Sequence, residues 1–77
     1  MNLLTMPTNH VSIHFEREKF KRENARAALL IRQVGAKLSR NTRHAPSDEA
    51  REVLLETVRE LDTLATNLLL VNEVADL

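Results

Sequence analysis

The chain of 77 residues contains no cysteine, no tryptophan and no tyrosine, and has only two phenylalanines and one glycine. Without cysteine it can form no disulfide, thiolate nucleophile or thiolate zinc site. With two aromatic side chains it is poorly supplied for stacking nucleic-acid bases. Domains of this size bury only about 60% of the surface that their unfolded chains expose, and they often gain stability from a second subunit. We therefore expect compact packing, self-association or both.

Long hydrophobic runs are also missing. No apolar stretch approaches the roughly 20 residues that a helix needs to cross a bilayer. The opening MNLLTM has no basic region, long apolar core or small-residue cleavage site, so we expect no signal peptide. These absences predict an intracellular, cytoplasmic protein without a membrane partner. Apolar residues make up 43% of the chain and charged residues 29%, a balance typical of folded domains.

The net charge of zero divides into two halves of opposite sign. Residues 1–46 contain nine Lys and Arg against three Glu, whereas residues 47–77 contain two Arg against eight Asp and Glu. Such asymmetry can mark a nucleic-acid-binding arm or an acidic tail. Because both halves also show strong apolar periodicity, we interpret them as two complementary elements of one fold.

The first helix is predicted over residues 16–39. Its main apolar stripe has the spacing of a heptad seam. The stripe comprises Phe20, Ala27, Ile31, Val34 and Leu38. Gly35 lies beside this stripe and costs roughly 1 kcal/mol of helix propensity relative to alanine. We therefore expect another backbone to approach the helix closely at Gly35.

Residues 40–47 interrupt the periodicity and are predicted to form a loop. Pro46 disfavours helical geometry at the residue before it. Ser47 can cap a following helix, whose first turn would contain two acidic residues where the helix dipole favours them. The second helix is predicted over residues 48–75.

The main stripe of the second helix is apolar except for two polar interruptions, Thr57 and Asn72. The stripe comprises Ala50, Leu54, Val58, Leu61, Ala65, Leu68 and Ala75, with Leu64 and Val71 beside it. The two polar residues either lie at a solvated edge, or Asn72 fixes the helix register as a buried Asn does in coiled coils. The sequence leaves both interpretations open.

The similar lengths of the two helices and their short link predict an antiparallel hairpin. Before it, the segment HVSIHFE (residues 10–16) alternates apolar and polar side chains, which is a strand signature. A lone strand is unstable, so it would pair across a dimer or lie along a helix. The predicted fold class is all-α: an antiparallel two-helix hairpin over residues 16–77, preceded by a flexible or extended arm over residues 1–15.

Both helices carry apolar residues outside their stripes, and soluble monomers seldom expose large apolar patches. This surplus predicts a second contact surface, either in a homodimer that pairs two hairpins into a four-helix bundle or against another protein. The predicted partner-binding residues are Val11, Ile13, Phe15, Phe20, Leu29, Leu70 and Val74. The predicted core residues are Ala27, Ile31, Val34, Leu38, Leu54, Val58, Leu61, Ala65 and Leu68.

Enzyme chemistry finds little support in the sequence. There is no nucleophile–base pair, glycine-rich phosphate loop or paired-carboxylate cleft, so we predict no catalytic residues and no cofactor. His10, His14 and Glu18 would share one face if their segment were helical, a spacing that can bind a metal. The strand alternation argues against that helix, so we predict no metal site.

Nucleic-acid binding is a possible alternative, because basic residues crowd the start of the first helix. They are Arg17, Lys19, Lys21, Arg22 and Arg26. A strand followed by two helices resembles ribbon-helix-helix repressors, whose paired strands enter the major groove. However, the outward side chains of the strand would be His10, Ser12 and His14, none of which reads guanine as Arg does. An antiparallel helical dimer resembling plasmid RNA-loop-binding proteins is the other form of this alternative.

At the level of architecture, the predicted hairpin resembles two groups of small protein-binding proteins. One is the antiactivators, which silence transcription activators such as quorum-sensing regulators. The other is the co-chaperones of type III secretion, which cover an aggregation-prone needle subunit. Our leading hypothesis is a non-enzymatic regulatory protein that sequesters a protein partner, a transcription activator, with the secretion co-chaperone and nucleic-acid binding as alternatives.

Overall fold

The chain forms a two-helix hairpin in the computed structural model, which describes residues 2–77, with side chains described from residue 13 onward. Helix α1 (Asn2–Asn41) and helix α2 (Asp48–Ala75) are joined by a 3-10 turn, Thr42–His44. The helices pack against each other, and residues 2–77 contain no strand. The predicted all-α hairpin is confirmed. The molecule is a rod with extents of 67 × 18 × 12 Å.

Helix α1 begins much earlier than the sequence predicts. It starts at Asn2 rather than at residue 16, so it includes residues 10–15, for which the alternation predicts a strand or extended arm. The structure has helix there instead. Three alternating apolar residues are a short signal, and no second strand is present among residues 2–77 to accept their backbone hydrogen bonds. A helix satisfies those backbone groups within the segment itself.

Helix α2 has the predicted bounds, and its first residues show why it starts where it does. Ser47 has an extended backbone, with φ −150° and ψ 163°, and its hydroxyl accepts a hydrogen bond from the Ala50 amide at 3.1 Å. This is the predicted N-cap. Arg51 then donates hydrogen bonds to the Asp48 carboxylate, at 3.0 Å, and to the Thr42 carbonyl oxygen, at 3.4 Å. These contacts tie α2 to the turn before it.

The link between the helices is short because α1 continues through Asn41, two residues beyond its predicted end. The Thr42 hydroxyl and the Arg43 guanidinium donate hydrogen bonds to carbonyl oxygens of the last turn of α1, at 2.6 and 3.2 Å. Ala45 is extended, with φ −61° and ψ 132°, as expected for a residue before Pro46. The chain therefore reverses within a few residues, and the two helices lie antiparallel.

Residues that face the other helix recur every three or four positions, which is heptad spacing. We call them the interhelix seam, and all of them are buried or half-buried. On α1 the seam comprises Lys21, Asn24, Ala28, Ile31, Gly35 and Leu38, and on α2 it comprises Leu54, Val58, Leu61, Ala65, Leu68, Asn72 and Ala75. The stripe predicted for α2 therefore lies against α1.

On α1, the seam contains two residues of the predicted stripe, Ile31 and Leu38, and departs from it elsewhere. Phe20 and Val34, predicted to face α2, are 48% and 50% exposed, whereas the residues that follow the stripe, Ala28 and Gly35, are buried. Helix α1 carries two adjacent apolar stripes that share Ile31 and Leu38. The seam uses the stripe that continues through Ala28 and Gly35, and the larger side chains of the other stripe are left beside it.

The expectation of a close backbone approach at Gly35 is wrong. Gly35 lies in the seam itself, and a Cβ atom added there would meet nothing within 4 Å. Its φ is not positive either, since no residue among those described has a positive φ. Neither crowding nor backbone geometry therefore requires glycine at this position.

The hairpin by itself buries little apolar surface. Among the described residues, the only buried apolar side chains are Ala28 and Ala65, at 2% and 0% exposure, and no large side chain is fully buried. The larger seam residues are half-buried. Most large apolar side chains of residues 13–77 are thus at least partly open to solvent, and their positions define the candidate functional surfaces.

Candidate functional site

Two asparagines set the register of the hairpin. The Asn24 side-chain amide donates a hydrogen bond to the Asn72 side-chain oxygen at 3.1 Å, and the Asn72 amide donates one to the Lys21 carbonyl oxygen at 2.8 Å. Both asparagines are half-buried in the seam. Because a one-residue slip would break these bonds, the pair favours one alignment of the helices, as a polar residue does in a coiled-coil seam. The solvated-edge interpretation of Asn72 is therefore wrong.

One flank of the hairpin carries the polar contacts between the helices, and we call it the polar flank. The Arg32 guanidinium lies 3.9 Å from the Asp62 carboxylate and 3.4 Å from the Thr66 hydroxyl. At the open end, the Lys21 ammonium donates a hydrogen bond to the Asp76 carboxylate at 2.7 Å. That hydrogen bond raises the pKa of Lys21, and the opposite charge of Asp76 adds to the effect.

The opposite flank is apolar. Arg32 and Asp62, which meet on the polar flank, each follow a seam residue in sequence. Residues that precede the buried seam positions Ala28 and Ala65 therefore lie on the other flank of an antiparallel pair. We call this the apolar flank. Its apolar residues are Phe20, Ala27, Leu30 and Val34 from α1, and Val53, Leu64, Val71 and Val74 from α2. By the same rule it also contains the polar residues Glu23, Lys37, Thr57, Glu60 and Asn67.

The apolar flank is open to solvent along most of its length. Leu30 is 55% exposed, Leu64 is 47% exposed and Val74 is 65% exposed. Among residues 13–77, no hydrogen bond or ion pair crosses between the helices on this flank. The flank therefore has the character of a helix-packing surface with nothing packed on it.

A second exposed region is the start of α1, which extends beyond the end of α2. The Asn24–Asn72 register places the last residue of the chain, Leu77, near the level of residue 19. Residues 2–18 of α1, which we call the overhang, therefore have no α2 residue beside them. They span about 25 Å at about 1.5 Å per residue. Ile13 and Phe15 on the overhang are 56% and 68% exposed.

The predicted partner-binding residues do not form one surface. Phe20 and Val74 lie on the apolar flank, and Ile13 and Phe15 lie on the overhang. Leu29 lies towards the polar flank, while Leu70 lies on the back of α2, away from α1. The side chain of Val11 is outside the described residues. The surface predicted at one end of the hairpin is thus divided among the overhang, both flanks and the back.

Six residues of the apolar flank were absent from the predicted partner-binding set: Ala27 and Val34, which were predicted as core residues, and Leu30, Val53, Leu64 and Val71. The signal that identifies Leu64 and Val71 is their position immediately before the seam residues Ala65 and Asn72. Using this signal requires knowing which stripe faces the other helix. On α1 the predicted stripe was correct only at Ile31 and Leu38 and lay one residue too early elsewhere.

Among the side chains of residues 13–77, no three His, Asp or Glu groups are placed to hold a metal ion. None of the described helices combines the length and the apolar character needed to span a membrane.

The chain matches no protein-family model, no curated protein and no solved structure.

Proposed function

We propose that this chain is a small non-enzymatic regulatory protein that binds and sequesters a partner protein, with a transcription activator as the partner. The observation that carries the proposal is the overhang, a helix end with exposed Ile13 and Phe15 that has no intramolecular packing partner. Helices that present apolar side chains without a partner in their own chain are typical of helix-in-groove recognition. The choice of an activator as partner rests on architectural resemblance to antiactivators.

The composition of the overhang supports protein rather than nucleic-acid recognition. Aromatic and large aliphatic side chains supply most of the binding energy in protein interfaces, and Phe15 is the most exposed phenylalanine of the chain. The ribbon-helix-helix alternative needs a strand to enter the DNA groove, and residues 2–77 contain none. Of the basic residues near the start of α1, Lys21 is already paired with Asp76.

The test separates capture from folding. The partner is first identified by affinity capture from the source cell and then purified. Two dissociation constants are then measured: that of the partner's complex with the intact chain, and that of its complex with an Ile13→Asp, Phe15→Asp variant. We expect binding to weaken at least about tenfold, because the two substitutions replace apolar anchors with carboxylates. The helix content by circular dichroism should not change, since neither side chain contacts α2.

The matched control is Gln33→Asp, which adds a carboxylate at an exposed α1 position outside both the overhang and the apolar flank. It should bind as the intact chain does. Equal binding by the double variant would remove the overhang from the interface. A salt-sensitive complex with RNA or DNA, lost on replacing Arg17 and Arg22, would favour the nucleic-acid alternative instead.

A further inference from the structure

We propose that the apolar flank is covered by a second copy of this chain, in a dimer whose two-fold axis runs parallel to the rod. In this arrangement α1 of one protomer packs against α2 of its partner, and both turns lie at the same end. The result is a four-helix bundle in which all neighbouring helices are antiparallel.

The exposed apolar side chains of the apolar flank have the character of a bundle core. They are large and aliphatic or aromatic, and they come from both helices, as a bundle core requires. The seam alone leaves no large side chain fully buried. In a symmetric dimer, the apolar flank of each copy packs against the apolar flank of the other. A single interface therefore removes both flanks from water.

Charge decides between the two possible symmetric arrangements. Helix α1 contains eight Lys and Arg against three Glu, and α2 contains seven Asp and Glu against two Arg. A two-fold axis across the rod would place α1 on α1 and α2 on α2, so like charges would face each other. An axis parallel to the rod places basic α1 on acidic α2 at both contacts. Opposite charges at facing positions favour this second arrangement.

The parallel axis also predicts specific ion pairs at the edge of the interface. Rotation about this axis does not change height along the rod, so the register of the hairpin also applies between protomers. The Asn24–Asn72 alignment puts Arg40 level with Glu56, and Lys37 within a residue of Glu60. All four side chains are exposed and lie outside the seam. Lys37 and Glu60 lie on the same flank as Leu30, because each precedes a seam residue, and Arg40 and Glu56 lie outward of that flank. We expect Arg40 to meet the partner's Glu56 and Lys37 to meet the partner's Glu60.

The parallel axis has a consequence for partner capture, and this consequence rests on the function proposed above. Both overhangs would emerge from the same end of the bundle, at diagonally opposite corners. A dimer would then present two helical arms to a single partner. In the other arrangement, the arms would lie at opposite ends and would bind two partners independently.

The test uses two charge-reversed variants of the full chain. In one, Lys37→Glu and Arg40→Glu make this part of α1 acidic; in the other, Glu56→Lys and Glu60→Lys make this part of α2 basic. Each variant alone should dimerise about tenfold or more weakly than the intact chain in sedimentation analysis, because like charges now face each other. An equimolar mixture should recover dimerisation, because the reversed helices then face helices of opposite charge.

The control reverses Arg22 and Glu52, which lie towards the polar flank, and it should dimerise as the intact chain does. Small-angle scattering adds an independent measurement, because the proposed dimer keeps a length close to the 67 Å of one protomer. The other arrangement would be about 25 Å longer, by the length of a second overhang. A monomer at high micromolar concentration, a longer particle, or unaffected charge-reversed variants would overturn the proposal. The overhang variant Ile13→Asp, Phe15→Asp should still dimerise, so failure of capture and failure of dimerisation are separate results.

Discussion

The space around Gly35 affects the stability of the hairpin. Gly35 is buried between the helices, yet there is open space where a Cβ atom would lie. Ala65, by contrast, is a seam residue with 0% exposure, so its environment is already full. The two positions should therefore respond oppositely to added side-chain volume.

We expect Gly35→Ala to stabilise the hairpin by about 0.5–1 kcal/mol, because alanine loses less backbone entropy in a helix and meets no atom here. The matched change Ala65→Leu should destabilise it by about 1–3 kcal/mol, because the added atoms must displace neighbours. Urea unfolding followed by circular dichroism measures both changes. A destabilised Gly35→Ala variant would contradict the open space found beside this residue.

The sequence could identify Gly35 as unusual but could not supply the reason. A glycine in a helix costs stability, and close approach of a backbone is the common compensation. Whether that compensation exists depends on the register of the facing helix. Register in turn depends on the Asn24–Asn72 pair, and a helical wheel of one helix contains no information about a pair.

At the scale of the elements, α2 could be predicted well and α1 only in part. The start of α2 has a local cause, the Ser47 cap, and its one dominant stripe leaves no choice of facing side. Helix α1 has no such cap at its predicted start and carries two apolar stripes. Which stripe faces α2 is decided by packing against α2, so propensity and periodicity within α1 could not determine it.

The candidate surfaces follow the same division. The sequence could predict part of the apolar flank on α2, because Leu64 and Val71 lie beside the stripe that was predicted for that helix. The overhang could not be predicted, because residues 10–15 alternate as a strand does and the start of α1 was placed after them. The overhang exists because α1 is longer than α2. The alternation of apolar and polar residues in this segment predicted a strand there, so the greater length of α1 was not predicted.

Replacing one asparagine of the Asn24–Asn72 pair should destabilise the hairpin more than replacing both. Asn72→Leu alone should destabilise the hairpin by about 1–3 kcal/mol, because the half-buried Asn24 amide loses its partner. The double change Asn24→Leu, Asn72→Leu should recover or exceed the original stability, because no polar group is then left unpaired. It should also broaden the distribution of assemblies in sedimentation velocity, since nothing then specifies the register.

The control for this pair is Gln33→Leu, an exposed change that adds apolar volume outside the seam and the apolar flank. It should leave the unfolding midpoint nearly unchanged. If the double Asn variant were uniform in its assembly, the register would be set by the apolar seam residues and not by the asparagines.

For the whole molecule, the notable property is that opposite charges are segregated onto opposite helices. Individual surface pairs such as Arg32–Asp62, at 3.9 Å with both side chains largely solvated, contribute little. The summed positive charge of α1 is attracted to the summed negative charge of α2. The same positive charge would repel a second α1 that packed against α1 in place of α2. Such a pattern determines which helices pair more than it determines how tightly they pair.

Added salt should therefore weaken the fold measurably. Raising NaCl from about 0.02 M to about 0.5 M shortens the screening length from roughly 20 Å to roughly 4 Å. We expect the free energy of unfolding, measured with urea, to fall by about 1 kcal/mol. The Arg32→Gln, Asp62→Asn variant should show a smaller decrease. A stability that stays constant or rises over this range would contradict a contribution from charge segregation.

The short link has a consequence for the kinetics of folding. The Arg51–Thr42 contact joins residues nine positions apart, whereas the Lys21–Asp76 contact at the open end joins residues 55 positions apart. Closing a short loop costs less entropy than closing a long one, so the helices should join first at the link and close towards the overhang. Unfolding should begin at the open end, beside the overhang. A protein bound there would hold together the part of the hairpin that separates first, and would thereby slow unfolding of the whole chain.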